Sequence, residues 1–180
     1  NSFNGYKILD EHNNQVPIQK TKDGICIYVQ IPPLTFSTFK IEKATKTKII
    51  KDKNLTLENN YIKYKFNKNG NLISAYDKEI KKQLVQKPGN ILSLYEDRPN
   101  DWDAWDIDFF YREMLLENAT VNNFSCDSSG PIKNSIDFRF SIGQSSIKQK
   151  ISLDKNSKEL KFDTNVDWKE SHKMLRVKFP

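Results

Sequence analysis

The sequence predicts an all-β chain whose antiparallel strands pack as a β-sandwich, and three observations carry that expectation. Apolar and polar side chains alternate with period two through most of the last third. Asn69-Gly70, a strong turn signal, separates two alternating runs. A good 3.6-residue period is not sustained anywhere over about twelve residues, so an amphipathic helix of ordinary length has no support.

The elements follow in chain order. "GICIYVQIPPLTFSTFKIE" reads as two strands split at Pro32-Pro33, where the missing backbone donors break a ladder. About forty residues rarely bury a core alone. Residues 1–43 are therefore expected to be the tail of a small β domain whose earlier strands lie elsewhere. The basic run "KATKTKIIKDK", Lys43 to Lys53, reads as a linker over 44–53, and residues 54–180 as the first part of a larger β domain. In "NYIKYKF", Ile62, Tyr64 and Phe66 oppose Tyr61, Lys63 and Lys65; "NKNGN" then turns the chain into "LISAY". "DKEIKKQLVQ" comes nearest to a helical pattern and is ended at once by Pro88-Gly89.

The cleanest alternation is "SIDFRFSI", where Ile136, Phe138, Phe140 and Ile142 face one way and Asp137, Arg139 and Ser141 the other. "SIKQKISL" repeats it with Ile147, Ile151 and Leu153. "ELKFDTNVDW" does so with Leu160, Phe162, Val166 and Trp168, and "KMLRVKF" with Leu175, Val177 and Phe179. "DKNSK" is a polar turn of hairpin length, so the strands on either side should pair antiparallel. The start "NSFNGYK" lacks an initiator Met and the end "MLRVKFP" stops on a strand pattern; a piece of a longer polypeptide is expected.

Composition narrows the function classes. The net charge is +6. The lysines, such as Lys63, Lys65, Lys148, Lys150 and Lys161, occupy alternate strand positions and turns, as on solvated sheet faces, so a nucleic-acid partner is not expected. No window approaches the roughly eighteen apolar residues of a helical span, and no membrane partner is expected. Cys26 and Cys126 stand one hundred positions apart and read as plain thiols, which suits a reducing, cytoplasmic setting. His12 and His172 form no metal-binding pair, and His172 reads as a strand-end residue on a polar face. Nucleophile elbows, phosphate loops and Cys–His signatures are absent. Three Asn-X-Ser/Thr sequons, at Asn54, Asn118 and Asn123, are no more than an Asn-rich chain yields by chance.

One segment departs from its surroundings. Residues 96–108, "EDRPNDWDAWDID", hold six acids and one Arg, a net of −5, so the rest must sum to +11. Asp101, Asp103 and Asp106 match a Ca²⁺ loop only in spacing, without the Gly and distal Glu such a loop needs. A second reading has Trp102 and Trp105 plug the end of a sandwich, with the acids solvated. A third has the segment facing a sugar, because an indole offers a flat apolar surface and carboxylates accept hydroxyl hydrogen bonds.

"WDAWDID", preceded by "LYEDRPN" and followed by "VDWKESHKMLRVKFP", resembles the C-terminal β region of glycoside hydrolase family 38 α-mannosidases. "LENNYIKYKFNKNGNLISAYDKE" resembles the opening of that family's large β domain, and "VPIQ" (Val16–Gln19) with "IPPLTFSTFKI" (Ile31–Ile41) the last strands of the small one before it. The resemblance implies a supersandwich like that of galactose mutarotase. It also implies a retaining enzyme whose barrel, outside this chain, holds a carboxylate nucleophile and a divalent metal, usually zinc. On that basis no catalytic or metal-binding residue is expected here, and the chain alone is expected to be inactive. The expected partners are the protein's own N-terminal catalytic domain and α-mannoside glycans, with Asp101, Trp102, Asp103, Trp105 and Asp106 as candidates for the rim of the substrate cleft. A free-standing carbohydrate-binding β-sandwich is the alternative.

Overall fold

The structure, a computed structural model, describes residues 5–20, 25–44, 54–102, 105–127 and 130–180. Its strands are β1 (Tyr6–Leu9), β2 (Gln15–Val16), β3 (Ile18–Lys20), β4 (Ile25–Ile27), β5 (Lys40–Lys43), β6 (Thr56–Glu58), β7 (Ile62–Phe66) and β8 (Leu72–Asp77). They continue with β9 (Lys82–Gln83), β10 (Ile91–Glu96), β11 (Leu115–Asn118), β12 (Thr120–Asp127), β13 (Lys133–Ile142), β14 (Ser145–Asp154), β15 (Leu160–Asp167) and β16 (Lys173–Lys178). The fold is all-β, as expected, and the strands pair antiparallel throughout. A short 3₁₀ helix, Phe109–Glu113, is the one helical element among the described residues.

The long hairpin β13–β14 organises the core. Ile136, Phe138, Phe140 and Ile142 are 0–2% exposed, and Ile147, Ile151 and Leu153 from the facing strand are equally enclosed. They lie in the sheet β12-β13-β14-β15. Against them pack Leu57, Ile62, Tyr64, Phe66, Leu72 and Ala75 of the sheet β6-β7-β8-β9, and Leu92 and Leu94 of β10. Phe66 meets Phe138 across the layers with ring centroids 6.3 Å apart. Each fully buried side chain of this size contributes about 1.5–3 kcal/mol of apolar transfer.

Polar clasps fix the layers to one another. Asn59 Oδ1 accepts from the backbone N–H groups of Tyr61 and Ile62, while its Nδ2 donates to the Asp154 and Ser157 carbonyls in the β14–β15 turn. Lys158 of that turn pairs at 2.7 Å with Asp77, whose carboxylate also accepts from the N–H groups of Glu79 and Ile80. "DKNSK" thus makes the expected hairpin connection and carries cross-layer contacts as well.

The β7–β8 turn differs in detail from a two-residue Asn-Gly hairpin. Gly70 takes a positive φ of 77°, but Asn67 directs the turn: its Oδ1 accepts from the N–H groups of Asn69 and Asn71, and its carbonyl accepts from Gly70. A Cβ on Gly70 would stand 2.7 Å from the Phe140 ring. Glycine is needed there for both conformation and space.

Residues 5–44 pair among themselves, as the sheet β2-β1-β5 and the hairpin β3–β4. The two strands expected within Gly24–Glu42 are shorter than the sequence pattern implies, since β4 ends at Ile27 and β5 begins at Lys40. Gln19, 9% exposed, joins this part to the sandwich. Its Nε2 donates to the Lys133 carbonyl at 2.5 Å, and its Oε1 accepts from the N–H groups of Ile132 and Lys133 at 3.1 and 2.7 Å. The amide fits only because residue 130 is glycine, whose Cβ would fall 1.9 Å from Gln19 Cδ. Of the expected linker, residues 45–53 lie outside the described residues.

The inward assignment fails for part of the last two strands. Leu160, Phe162 and Leu175 pack against the core, but Val166 (36%), Trp168 (39%), Val177 (49%) and Phe179 (54%) are exposed. The cause is position: β15 and β16 are the outermost strands of their sheets, each with one neighbour among the described residues. Phe162 and Phe179 cover each other partly, with rings 5.6 Å apart in a T-shape.

Candidate functional site

The acidic tryptophan segment lies in the connection from β10 to β11. Where it leaves the sheet, the Asp97 N–H donates to the His172 carbonyl, placing the loop beside the bend that precedes β16. His172 is exposed there with φ 49°, at the strand end where the sequence pattern puts it. Within the loop, the Trp102 carbonyl accepts from the N–H groups of Trp105 (2.7 Å) and Asp106 (3.0 Å), and Trp102 itself sits at φ 59°. Asp108 Oδ2 accepts from the Asn100 N–H at 2.7 Å, and Asp106 Oδ1 from the N–H of Ile107. Two of the carboxylates therefore shape the loop itself.

The indoles do not plug the sandwich. Trp102 is 76% and Trp105 90% exposed, and Asp101 and Asp106 are exposed beside them. Asp103, the remaining rim candidate, lies outside the described residues. The apolar display continues along the chain through Ile107, Phe109, Met114, Leu115 and Leu116, all more than 40% exposed. Exposed apolar side chains gathered on one connection are available for contact with another molecule or another part of the same one.

Beneath the loop is a support that no local sequence pattern announces. The 3₁₀ helix brings Tyr111 against Tyr95 of β10, edge to face at 5.7 Å. The Arg176 guanidinium lies 5.0 Å from the Tyr111 ring and donates through Nη1 to its hydroxyl, and Lys178 Nζ lies 4.8 Å from the Tyr95 ring. Alternation in β16 places Arg176 and Lys178 opposite Leu175 and Val177. Their stacking on Tyr95 and Tyr111 joins positions far apart in the chain.

The neighbouring connection is held by a buried carboxylate. The Glu170 side chain, 2% exposed, accepts from Lys173 Nζ at 2.6 Å, from the Gln144 N–H and from Ser145 Oγ at 3.0 Å. The Lys173 ammonium first, then these N–H and hydroxyl donors, hold its pKa below the ordinary Glu value, outweighing the effect of burial. Glu117 of β11 accepts from the Gly143 N–H in the same turn.

Chemically, exposed indoles beside carboxylates can stack on a pyranose and accept its hydroxyls. A metal centre is not served: no group of three or more His, Cys, Asp or Glu side chains is placed to hold an ion among the described residues. Cys26 and Cys126 are half-buried thiols, not joined in a disulfide. Among the described residues, no helix is long and apolar enough to cross a membrane.

Comparison with known proteins agrees with the architecture. The chain is 26% identical to alpha-mannosidase G of Dictyostelium discoideum over 88% of its length, covering 17% of that protein. It is 30% identical to alpha-mannosidase 2C1 of Homo sapiens, and likewise of Mus musculus, over 72% of its length and 13% of theirs. The chain thus spans less than a fifth of the relatives it matches. Residues 57–180, from the first core residue of β6 onward, match the glycosyl hydrolases family 38 C-terminal domain, and the chain belongs to that family.

Proposed function

We propose that this chain is the non-catalytic β region of an α-mannosidase, a retaining glycosidase acting on α-mannosides, and that it braces a catalytic domain located elsewhere in the polypeptide. Residues 1–43 are then the closing strands of a small β domain, 44–53 a linker and 54–180 the first part of the large supersandwich. The observation that carries the reading is the pairing of family membership with an exposed aromatic loop. Ile107, Phe109, Met114, Leu115 and Leu116 present apolar surface that a catalytic domain would cover, with Asp101, Trp102, Asp103, Trp105 and Asp106 reaching the rim of the substrate cleft.

In this role the chain contributes no catalytic residue and is inactive alone. Retaining hydrolysis needs two carboxyl groups about 5–5.5 Å apart across the scissile bond. Here Asp106 and Asp108 instead accept hydrogen bonds within their own loop. The divalent metal, zinc by resemblance to the family, is assigned in this reading to the catalytic domain. The unbridged thiols suit a cytoplasmic enzyme.

The test uses the full-length enzyme and an aryl α-mannoside. Trp105→Ala should raise KM by about tenfold, the loss of roughly 1.4 kcal/mol of stacking, with the melting temperature nearly unchanged. A chelator should abolish hydrolysis by the full-length enzyme. Unaltered KM alongside a lowered melting temperature would reduce the loop to a packing element, and hydrolysis by the 180-residue chain alone would refute the division of labour.

A further inference from the structure

At the opposite end of β10 from the tryptophan loop lies a cleft of about 710 Å³, between the β7–β8 turn and the start of β12. That volume falls within the range of about 300–1,000 Å³ that small-molecule sites occupy, whereas two other clefts, of about 240 and 230 Å³, fall below it. β10 separates the cleft from the loop by about 17 Å, at 3.4 Å per residue from Ile91 to Glu96.

Asn90 closes the cleft on its core side. It is 1% exposed and lines the cleft, and its φ of 57° is one that few side chains other than Asn tolerate. Its Nδ2 donates to the Gly70 carbonyl at 2.9 Å and to Gln149 Oε1 at 2.8 Å, while Gln149 Nε2 donates to Thr164. Both amides are thereby locked in orientation. Asn90 Oδ1, in contrast, is buried with no hydrogen-bond partner among the described residues. The Asn90–Gln149 pair thus forms a fixed polar floor to the cleft rather than part of its open wall.

The exposed lining specifies the ligand. Asn69, Asn71, Asn118, Asn122 and Asn123 surround the cleft, and Lys68 is the one charged side chain among its described lining residues. Carboxamides donate and accept at once, as alcohol hydroxyls do, whereas an anion would call for several cations and a hydrocarbon would strand every amide. Phe124, half-buried, adds apolar surface for the C–H face of a ring.

We propose that this cleft binds a neutral saccharide through the carboxamides of Asn69, Asn71, Asn122 and Asn123, with Phe124 against one face of a ring. The site is separate from the Asp101–Asp106 loop, and its occupation does not depend on the enzyme reading above.

The experiment titrates the ¹⁵N-labelled chain with α-1,2-mannobiose, maltotriose, cellotriose and inorganic phosphate, each to about 10 mM. A neutral saccharide should shift the side-chain amide resonances of Asn69, Asn71, Asn122 and Asn123, with Kd of about 1 mM or tighter. Thr120→Trp, an exposed cleft-lining position where an indole would fill the space, and Asn123→Ala, also exposed, should each weaken binding about tenfold with spectral dispersion retained. If the indole variant misfolds, Asn123→Ala decides. Lys68→Ala should change saccharide affinity less than about twofold. Binding of phosphate alone, shifts confined to Trp102 and Trp105, saccharide binding indifferent to the cleft substitutions, or no saccharide binding at all would overturn the proposal.

Discussion

Phe138 in β13 and Trp105 in the β10–β11 loop are both large aromatic residues, and they occupy opposite environments. Phe138 is 1% exposed and meets the rings of Phe66, Phe124 and Phe140 at centroid distances of 6.3, 6.0 and 5.7 Å. Trp105 is 90% exposed on a turn shaped by backbone hydrogen bonds and two aspartates. The first environment supplies stability through packing; the second leaves comparable apolar area uncovered, which contributes nothing to folding and is useful only against a partner.

The sharpest way to break that comparison is to truncate each ring. Phe138→Ala should cost about 3–5 kcal/mol in urea denaturation, since it removes a ring from a site with little freedom to collapse. A loss under about 1 kcal/mol would mean that the two layers are not packed as described. Next in size, Gln19→Ala should cost about 1–3 kcal/mol, because it leaves the N–H groups of Ile132 and Lys133 without their acceptor. A neutral outcome there would detach residues 5–44 from the sandwich.

Acid sharpens the comparison further. Because Lys173 and its neighbours hold the Glu170 pKa below its unfolded value, the unfolded chain binds more protons as the solution is acidified. The stabilisation is full above the ordinary Glu value of 4.5 and disappears as pH falls through the depressed one. Asp77, held down chiefly by Lys158, behaves the same way. Glu170→Gln should therefore flatten the decline in melting temperature below about pH 4.5, and an unchanged acid limb would show the clasp to be open in solution. Trp105→Ala should move stability least, within about 0.5 kcal/mol, as befits a surface position.

The strands of the core were legible in the sequence because alternation is local: Ile136 through Ile142 declare two faces within seven residues. The same pattern does not say what covers a face. Val166 and Val177 alternate as regularly as Ile147 and Ile151, yet their strands have a neighbour on one side only among the described residues, a matter of sheet order that no short window contains. The candidate loop was recognisable as a charge reversal, but whether its indoles pointed inward was not, since a turn has no periodicity to read. Tyr95, Tyr111, Arg176 and Lys178 meet through sheet topology, and the Asn67 turn was overshadowed by the familiar Asn69-Gly70 pair next to it.

Gln19 imitates, with one side chain, the two hydrogen bonds by which a neighbouring strand would grip Lys133. Parting residues 5–44 from the sandwich would forfeit that imitation all at once, with no intermediate in which half of it survives. Through this amide the melting of the first strands is tied to the start of β13 and hence to the central layers, so the two parts should lose structure in one cooperative step.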